Sequence, residues 1–122
     1  MGEEVMINYD FLFEEKQEDY KEVLQELRGG KARLIDIREQ KEWEQNHFKC
    51  AMHIPLSDLA KGIGVETLKQ IKKSDKKIYI HCRSGNRARK AQQVLAQYGC
   101  KEIYIIPITM MKMIEEGFTL TT

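Results

Sequence analysis

The run Lys77-Ile78-Tyr79-Ile80-His81-Cys82-Arg83-Ser84-Gly85-Asn86-Arg87-Ala88 passes from an apolar strand through a short polar loop into a helix. Ile78, Tyr79 and Ile80 are β-branched or aromatic, the residue types that fit a pleated, buried surface. Beyond the loop, Ala88, Ala91, Val94, Leu95 and Tyr98 recur at helical spacing until Gly99 ends the segment. The same alternation extends outward in both directions. Ala32-Arg33-Leu34-Ile35-Asp36-Ile37 and Ile103-Tyr104-Ile105-Ile106 read as strands, and Ala51-Met52-His53-Ile54 as a short one stopped by Pro55. Helical spacing marks Tyr20, Val23, Leu24 and Leu27, closed by Gly29-Gly30, and again Val65, Leu68 and Ile71. Ser57 is expected to cap a brief helix around Leu59, and a last helix turns Met110, Met113 and Ile114 inward before Gly117. Strands alternating with helices predict an α/β fold with a mostly parallel, buried sheet, in one domain spanning 1–122.

Composition narrows the classes of function. The chain has 122 residues, 42% apolar and 32% charged, with a mean hydropathy of −0.54. Its formal charge of +1 excludes a broadly basic nucleic-acid binder. That value averages a balance of −6 over residues 1–45 and +7 over residues 46–122, which reads either as two solvated surfaces that attract each other on folding or as a second half that handles an anion. The longest apolar run, Ile103 to Ile106, is far too short to span a membrane. Met1-Gly2-Glu3-Glu4 is acidic where a signal peptide would be basic and then apolar. The expectation is a cytoplasmic protein with no membrane and no nucleic-acid partner.

Cys50, Cys82 and Cys100 are odd in number and widely spaced, which argues against a disulfide scaffold. With His47, His53 and His81 they do not make zinc-ligand spacing, so no metal is expected. Cys50 is expected to pack and Cys100 to lie in a turn. Cys82 differs from both. Parallel sheets place ligand sites at the carboxyl ends of strands, where loops enter helices. In such a loop backbone N–H groups converge, the helix dipole adds positive potential, and Arg83 and Arg87 add two charges. All three favour the thiolate and make Cys82 the candidate nucleophile. Gly85 permits a backbone conformation that other residues resist.

The chain here resembles the rhodanese (thiosulfate sulfurtransferase) family in its single-domain form, over about residues 17–120. Cys82-Arg83-Ser84-Gly85-Asn86-Arg87 is similar to the family's active-site loop, and Asp36-Ile37-Arg38 to its Asp-x-Arg signature. Glu42-Trp43, His47, Ala51 and His53-Ile54-Pro55 match the segment between them. The resemblance implies a rhodanese-like fold, with a central sheet of about five strands flanked by helices on both faces. It implies a sulfurtransferase that moves a sulfane sulfur through a persulfide on Cys82, with neither metal nor organic cofactor. The donor would be a small anion such as thiosulfate or another persulfide. The acceptor would be a thiol, cyanide or a sulfur-carrier protein. Amides from Arg83 to Arg87 would hold the transferring sulfur, with Arg83 and Arg87 orienting the donor. Asp36 would brace the loop, and Arg38 would be structural.

The same residues leave two other readings open: a non-catalytic or regulatory binding module of this type, and a cysteine phosphatase or arsenate reductase. The intact Cys82 argues against the first. Against the second, four residues lie between Cys82 and Arg87 where phosphatases have Cys-x5-Arg, a shorter cradle that suits a sulfur atom better than a phosphoryl group. Two departures stand out. The family often has Gly-Ala where this chain has Cys50-Ala51, and commonly a glycine pair and a tryptophan where it has Pro107 to Met113. Three methionines there, Met110, Met111 and Met113, are expected either to pack the last helix or to soften a pocket wall.

Overall fold

The computed structural model describes residues 20–121; the Met1-Gly2-Glu3-Glu4 segment lies outside them. Four parallel strands, β1 (Ala32–Asp36), β2 (Ala51–His53), β3 (Lys77–His81) and β4 (Ile103–Ile105), form one sheet in the order β2-β1-β3-β4. The helices are α1 (Tyr20–Arg28), α2 (Gln40–Gln45), α3 (Leu56–Ala60), α4 (Val65–Lys73), α5 (Asn86–Gln97) and α6 (Met110–Glu115).

Period-two alternation splits the core into two layers. Ile35, Ile37, Ile78 and Ile80 face Leu59, Leu68, Ala91 and Leu95 from α3, α4 and α5. Leu34 and Tyr79 face the other way, onto Val23 and Leu24 of α1, Met113 of α6, Phe48 and Phe118. Helices thus cover both faces, which is why the central strands are apolar on each side.

Four strands stand among the described residues where about five were expected. Beyond them the only further pairing among the described residues is an isolated antiparallel bridge between Phe48 and Leu120, and Ile106 adds one bond to the ladder, its N–H donating to the Ile80 carbonyl at 2.9 Å. Three smaller expectations also change. Pro55, not Ser57, sits at the N-cap of α3, and the Ser57 hydroxyl donates instead to Glu39 at 2.6 Å. Ile114 points outward, 44% exposed, because Met113 alone fills the inward position on a helix of under two turns. Cys100 is buried and Cys50 exposed. The turn after α5 tucks Cys100 under the core, whereas Cys50 lies in the surface turn before β2.

The sheet order positions the site. From β1 the chain adds β2 on one side, then crosses back to β3 on the other, so the connections diverge at the carboxyl ends of β1 and β3. A crevice opens at such a switch point. The register aligns Asp36 with His53 and with His81 there, one residue short of Cys82.

Candidate active site

Cys82 directly follows β3 at 1% exposure, and its Sγ accepts the Gly85 N–H at 3.0 Å. The loop can turn this tightly because Gly85 adopts φ +97°, the left-handed region, and caps the 12-residue helix α5. A Cβ at Gly85 would lie 3.3 Å from the Pro107 carbonyl oxygen, so the β4–α6 connection packs directly on the loop. Arg83, Ser84 and Asn86 are exposed around the sulfur. The amide aimed at Sγ and the N-terminus of α5 both favour negative charge on it.

The two loop arginines are not equivalent. Arg87 is held in a two-pronged pair by Glu42 of α2, Nη1 to Oε1 at 2.6 Å and Nη2 to Oε2 at 2.9 Å. Glu42 also accepts the Glu39 N–H at 3.0 Å, closing a capping box that starts α2. Arg83 makes no ion pair among the described residues. Of the two arginines expected to add charge beside the sulfur, Arg87 is thus held by a carboxylate and Arg83 is left unpaired. Glu42 is the residue the sequence reading left without a role, since a partner 45 positions away leaves no local signal.

The Arg87 guanidinium holds the Glu42 carboxyl down to about 2, against an ordinary 4.5. A carboxyl depressed on folding adds stability above its ordinary value, and that contribution is lost as pH falls from 4.5 towards about 2. Both side chains are about a quarter to a third exposed, so solvent screening limits the effect to about 1 kcal/mol. Glu42→Gln should therefore lower the urea midpoint near neutral pH, with the gap to wild type narrowing steadily in acid. A gap independent of pH would contradict this.

Asp36 and Arg38 form a buried pair, at 0% and 4% exposure. Arg38 Nε reaches both Asp36 oxygens at 3.1 Å, and Nη2 donates to Oδ2 at 2.9 Å and to the Asn46 carbonyl at 2.7 Å. Asp36 hydrogen-bonds to Arg38 and not to residues 82–87; towards the loop it meets His81, Nε2 to Oδ2 at 3.6 Å. His81 is fully buried, which pushes its pKa down, and its Nδ1–H donates to the Cys82 carbonyl at 3.2 Å. Any bracing by Asp36 therefore passes through Arg38 and His81.

Trp43 stacks between His47, with centroids 3.5 Å apart, and His53, at 4.6 Å. The two imidazoles donate to the carbonyls of Trp43 and Arg38 respectively, at 2.8 and 2.7 Å. This stack fixes α2, and with it Glu42, against the Asp36–Arg38 turn.

Above the loop lies an open cleft of about 550 Å³, lined by Arg83 and Ser84, by α2 and by the start of α6. Thr109 begins α6 by accepting the Lys112 N–H at 3.1 Å. The methionines divide between the two roles expected of them: Met113 is buried in the core, Met111 lines the cleft, and Met110 does both, packing against the core while lining the cleft. Among the described residues no cluster of three metal-ligating side chains occurs, and no helix is long and apolar enough to cross a membrane.

A family model described as the rhodanese-like domain matches residues 19–108. The chain belongs to this family. A curated relative, the uncharacterized protein YqhL of Bacillus subtilis, is 40% identical over 82 residues, which are 66% of this chain and 60% of YqhL. The chain thus spans about three fifths of that relative's length. Protein hp1203 of Helicobacter pylori superposes with a TM-score of 0.64 at 29% identity, covering 75% of this chain and 79% of the other. The single-domain sulfurtransferase RDL2 of Saccharomyces cerevisiae superposes at 0.53 with 25% identity, covering 71% and 76%. The fold is rhodanese-like, with the Cys82 loop where a parallel sheet presents its ligand crevice.

Proposed function

We propose that this protein is a sulfurtransferase whose nucleophile is Cys82. The reading is carried by the Gly85 N–H aimed at Sγ, inside a loop in which four residues separate Cys82 from Arg87. RDL2, named a single-domain sulfurtransferase, lends support through its similarity to this chain.

In the first half-reaction the Cys82 thiolate attacks the outer sulfur of a donor such as thiosulfate. A Cys82–S bond forms, the donor's S–S bond breaks, and its electron pair leaves with sulfite. The product is the Cys82 persulfide anion, stabilised by the Gly85 amide and the α5 N-terminus. In the second, a thiolate or cyanide attacks the outer sulfur and regenerates the Cys82 thiolate. The covalent intermediate predicts ping-pong kinetics. A sulfur-carrier protein is an acceptor of the same chemistry.

Arg83 takes the donor-orienting role, because it is exposed and unpaired while Arg87 is occupied by Glu42. Arg87 serves as the clamp between the loop and α2. Ser84 and Asn86 complete the rim, Gly85 shapes it, and Asp36 and Arg38 support it from below. Arg83→Ala should raise the KM for thiosulfate about tenfold with a smaller change in kcat, and should flatten the dependence of KM on salt. An unaltered KM and salt response would remove Arg83 from donor binding.

The reading itself is tested by intact-mass spectrometry after incubation with several sulfane donors. The protein should gain one sulfur atom, lost again on adding cyanide or a thiol. No adduct with any donor would overturn it.

A further inference from the structure

The cleft over the Cys82 loop is built for more than a small inorganic anion. Its volume of about 550 Å³ would be left mostly to water by thiosulfate. One wall is apolar: Met111 is 72% exposed, Ile114 is 44% exposed and Met110 is half-buried. Met111 and Ile114 sit at i and i+3 on α6 and share a face that lines the cleft, while Met110, three positions before Met113, lies partly against the core and partly on the cleft. Single exposed apolar residues are ordinary on a surface, but three on one wall of an active-site cleft mark a surface for an apolar group.

Charge restricts the occupant further. Arg38 is neutralised by Asp36 and Arg87 by Glu42, which leaves Arg83 as the one unpaired cation lining the cleft among the described residues. One free positive charge beside an apolar wall complements a donor with one negative charge and a hydrophobic arm. Thiosulfate has a second charge and no arm.

We infer that Met111 and Ile114 determine donor specificity, and that the preferred donor is an organic sulfane-sulfur anion of the thiosulfonate type. This rests on the sulfurtransferase reading above. The Cys82 thiolate attacks the terminal sulfur of R–SO2–S⁻, the new Cys82–S bond forms, and the bond between the terminal and sulfonyl sulfurs breaks. Its electron pair leaves with the sulfinate R–SO2⁻, so two negative charges enter and two leave. Arg83 meets the sulfonyl oxygens while the arm R lies on Met111 and Ile114.

The experiment compares benzenethiosulfonate with thiosulfate as donors to cyanide, in wild type and in the double variant Met111→Gln/Ile114→Gln. Both positions are exposed on a helix and glutamine is a good helix former, so the fold is retained. In wild type, kcat/KM should favour benzenethiosulfonate by about tenfold or more. The double variant should cut that preference about tenfold, chiefly through the KM for benzenethiosulfonate. Methanethiosulfonate, with the same reacting group and a shorter arm, should fall between the two donors. If Cys82 loads from thiosulfate but wild type shows no preference for the aryl donor, or the double variant keeps the preference, the specificity inference is wrong and the sulfurtransferase reading stands. If neither donor loads Cys82, both are wrong.

Discussion

Cys82→Ser should take up no sulfur from thiosulfate and should transfer none to cyanide, a loss of at least about a thousandfold. A hydroxyl at this position meets the same Gly85 N–H but lacks the low-lying charge of a thiolate and cannot hold a sulfane sulfur. The substitution is nearly isosteric, so the circular dichroism spectrum and urea midpoint should stay close to wild type. The other cysteines serve as controls. Burial pushes the Cys100 thiol up, and desolvation of the Cys50 sulfur, in a shallow pocket with Leu24 and Leu27, pushes that thiol up too. Cys50 has only its own backbone N–H at the sulfur, and neither thiol sits at a helix N-terminus as Cys82 does. Cys50→Ser and Cys100→Ser should therefore keep the sulfur adduct. If either abolishes it while Cys82→Ser retains it, the nucleophile has been misassigned.

The largest loss of stability should come from Asp36→Ala. It would strand the Arg38 guanidinium at 4% exposure, removing partners now at 2.9 to 3.1 Å. Breaking one side of a buried, hydrogen-bonded ion pair costs about 3–5 kcal/mol. For a domain of this size that corresponds to a fall in Tm of roughly 10–30 °C. The Asn46 carbonyl, which accepts from the same guanidinium, would lose its position, and α2 with it. Replacing the pair together, as Asp36→Leu with Arg38→Met, should restore much of the stability, because no uncompensated charge then remains. Calorimetry on the single and double variants decides this. A single variant within about 1 kcal/mol of wild type would mean that the pair contributes little to the fold.

The central features of this fold were legible because their signals are local. The strands 78–81 and 32–37 and the stripe through Ala88, Ala91 and Leu95 follow from periodicity within a few residues, and the structure has them as β3, β1 and α5. The Cys82 loop was legible for the same reason, since its glycine, its arginines and the helix entry all lie within six positions. Ile114 and Cys50 were misjudged, and the depth of Cys100 went unread, where burial depends on what packs from elsewhere. Ile114 continues a helical apolar pattern, yet its side of α6 meets the cleft because Met113 already fills the contact with Phe118, Phe48 and Val23. Cys100 follows a helix-ending glycine as a turn residue would, yet its turn folds under Ile103 and Leu95.

By itself, the order of residues along the chain determined the α/β alternation, the strand-loop-helix setting that singles out Cys82 as the candidate nucleophile, and the short Cys-x4-Arg spacing. Each is a relation among neighbours, set by backbone geometry and side-chain type. Only the tertiary structure decided which arginine is left unpaired beside the cleft. Arg83 and Arg87 are alike in sequence and both stand beside the cysteine, but Glu42 comes from another helix to lie 2.6 Å from Arg87 and leaves Arg83 unpaired. Coulombic attraction depends on distance through space, and the fold alone sets that distance. The same holds for the cleft, whose apolar wall exists because α6 is carried round to the mouth of a loop some 25 residues earlier in the chain.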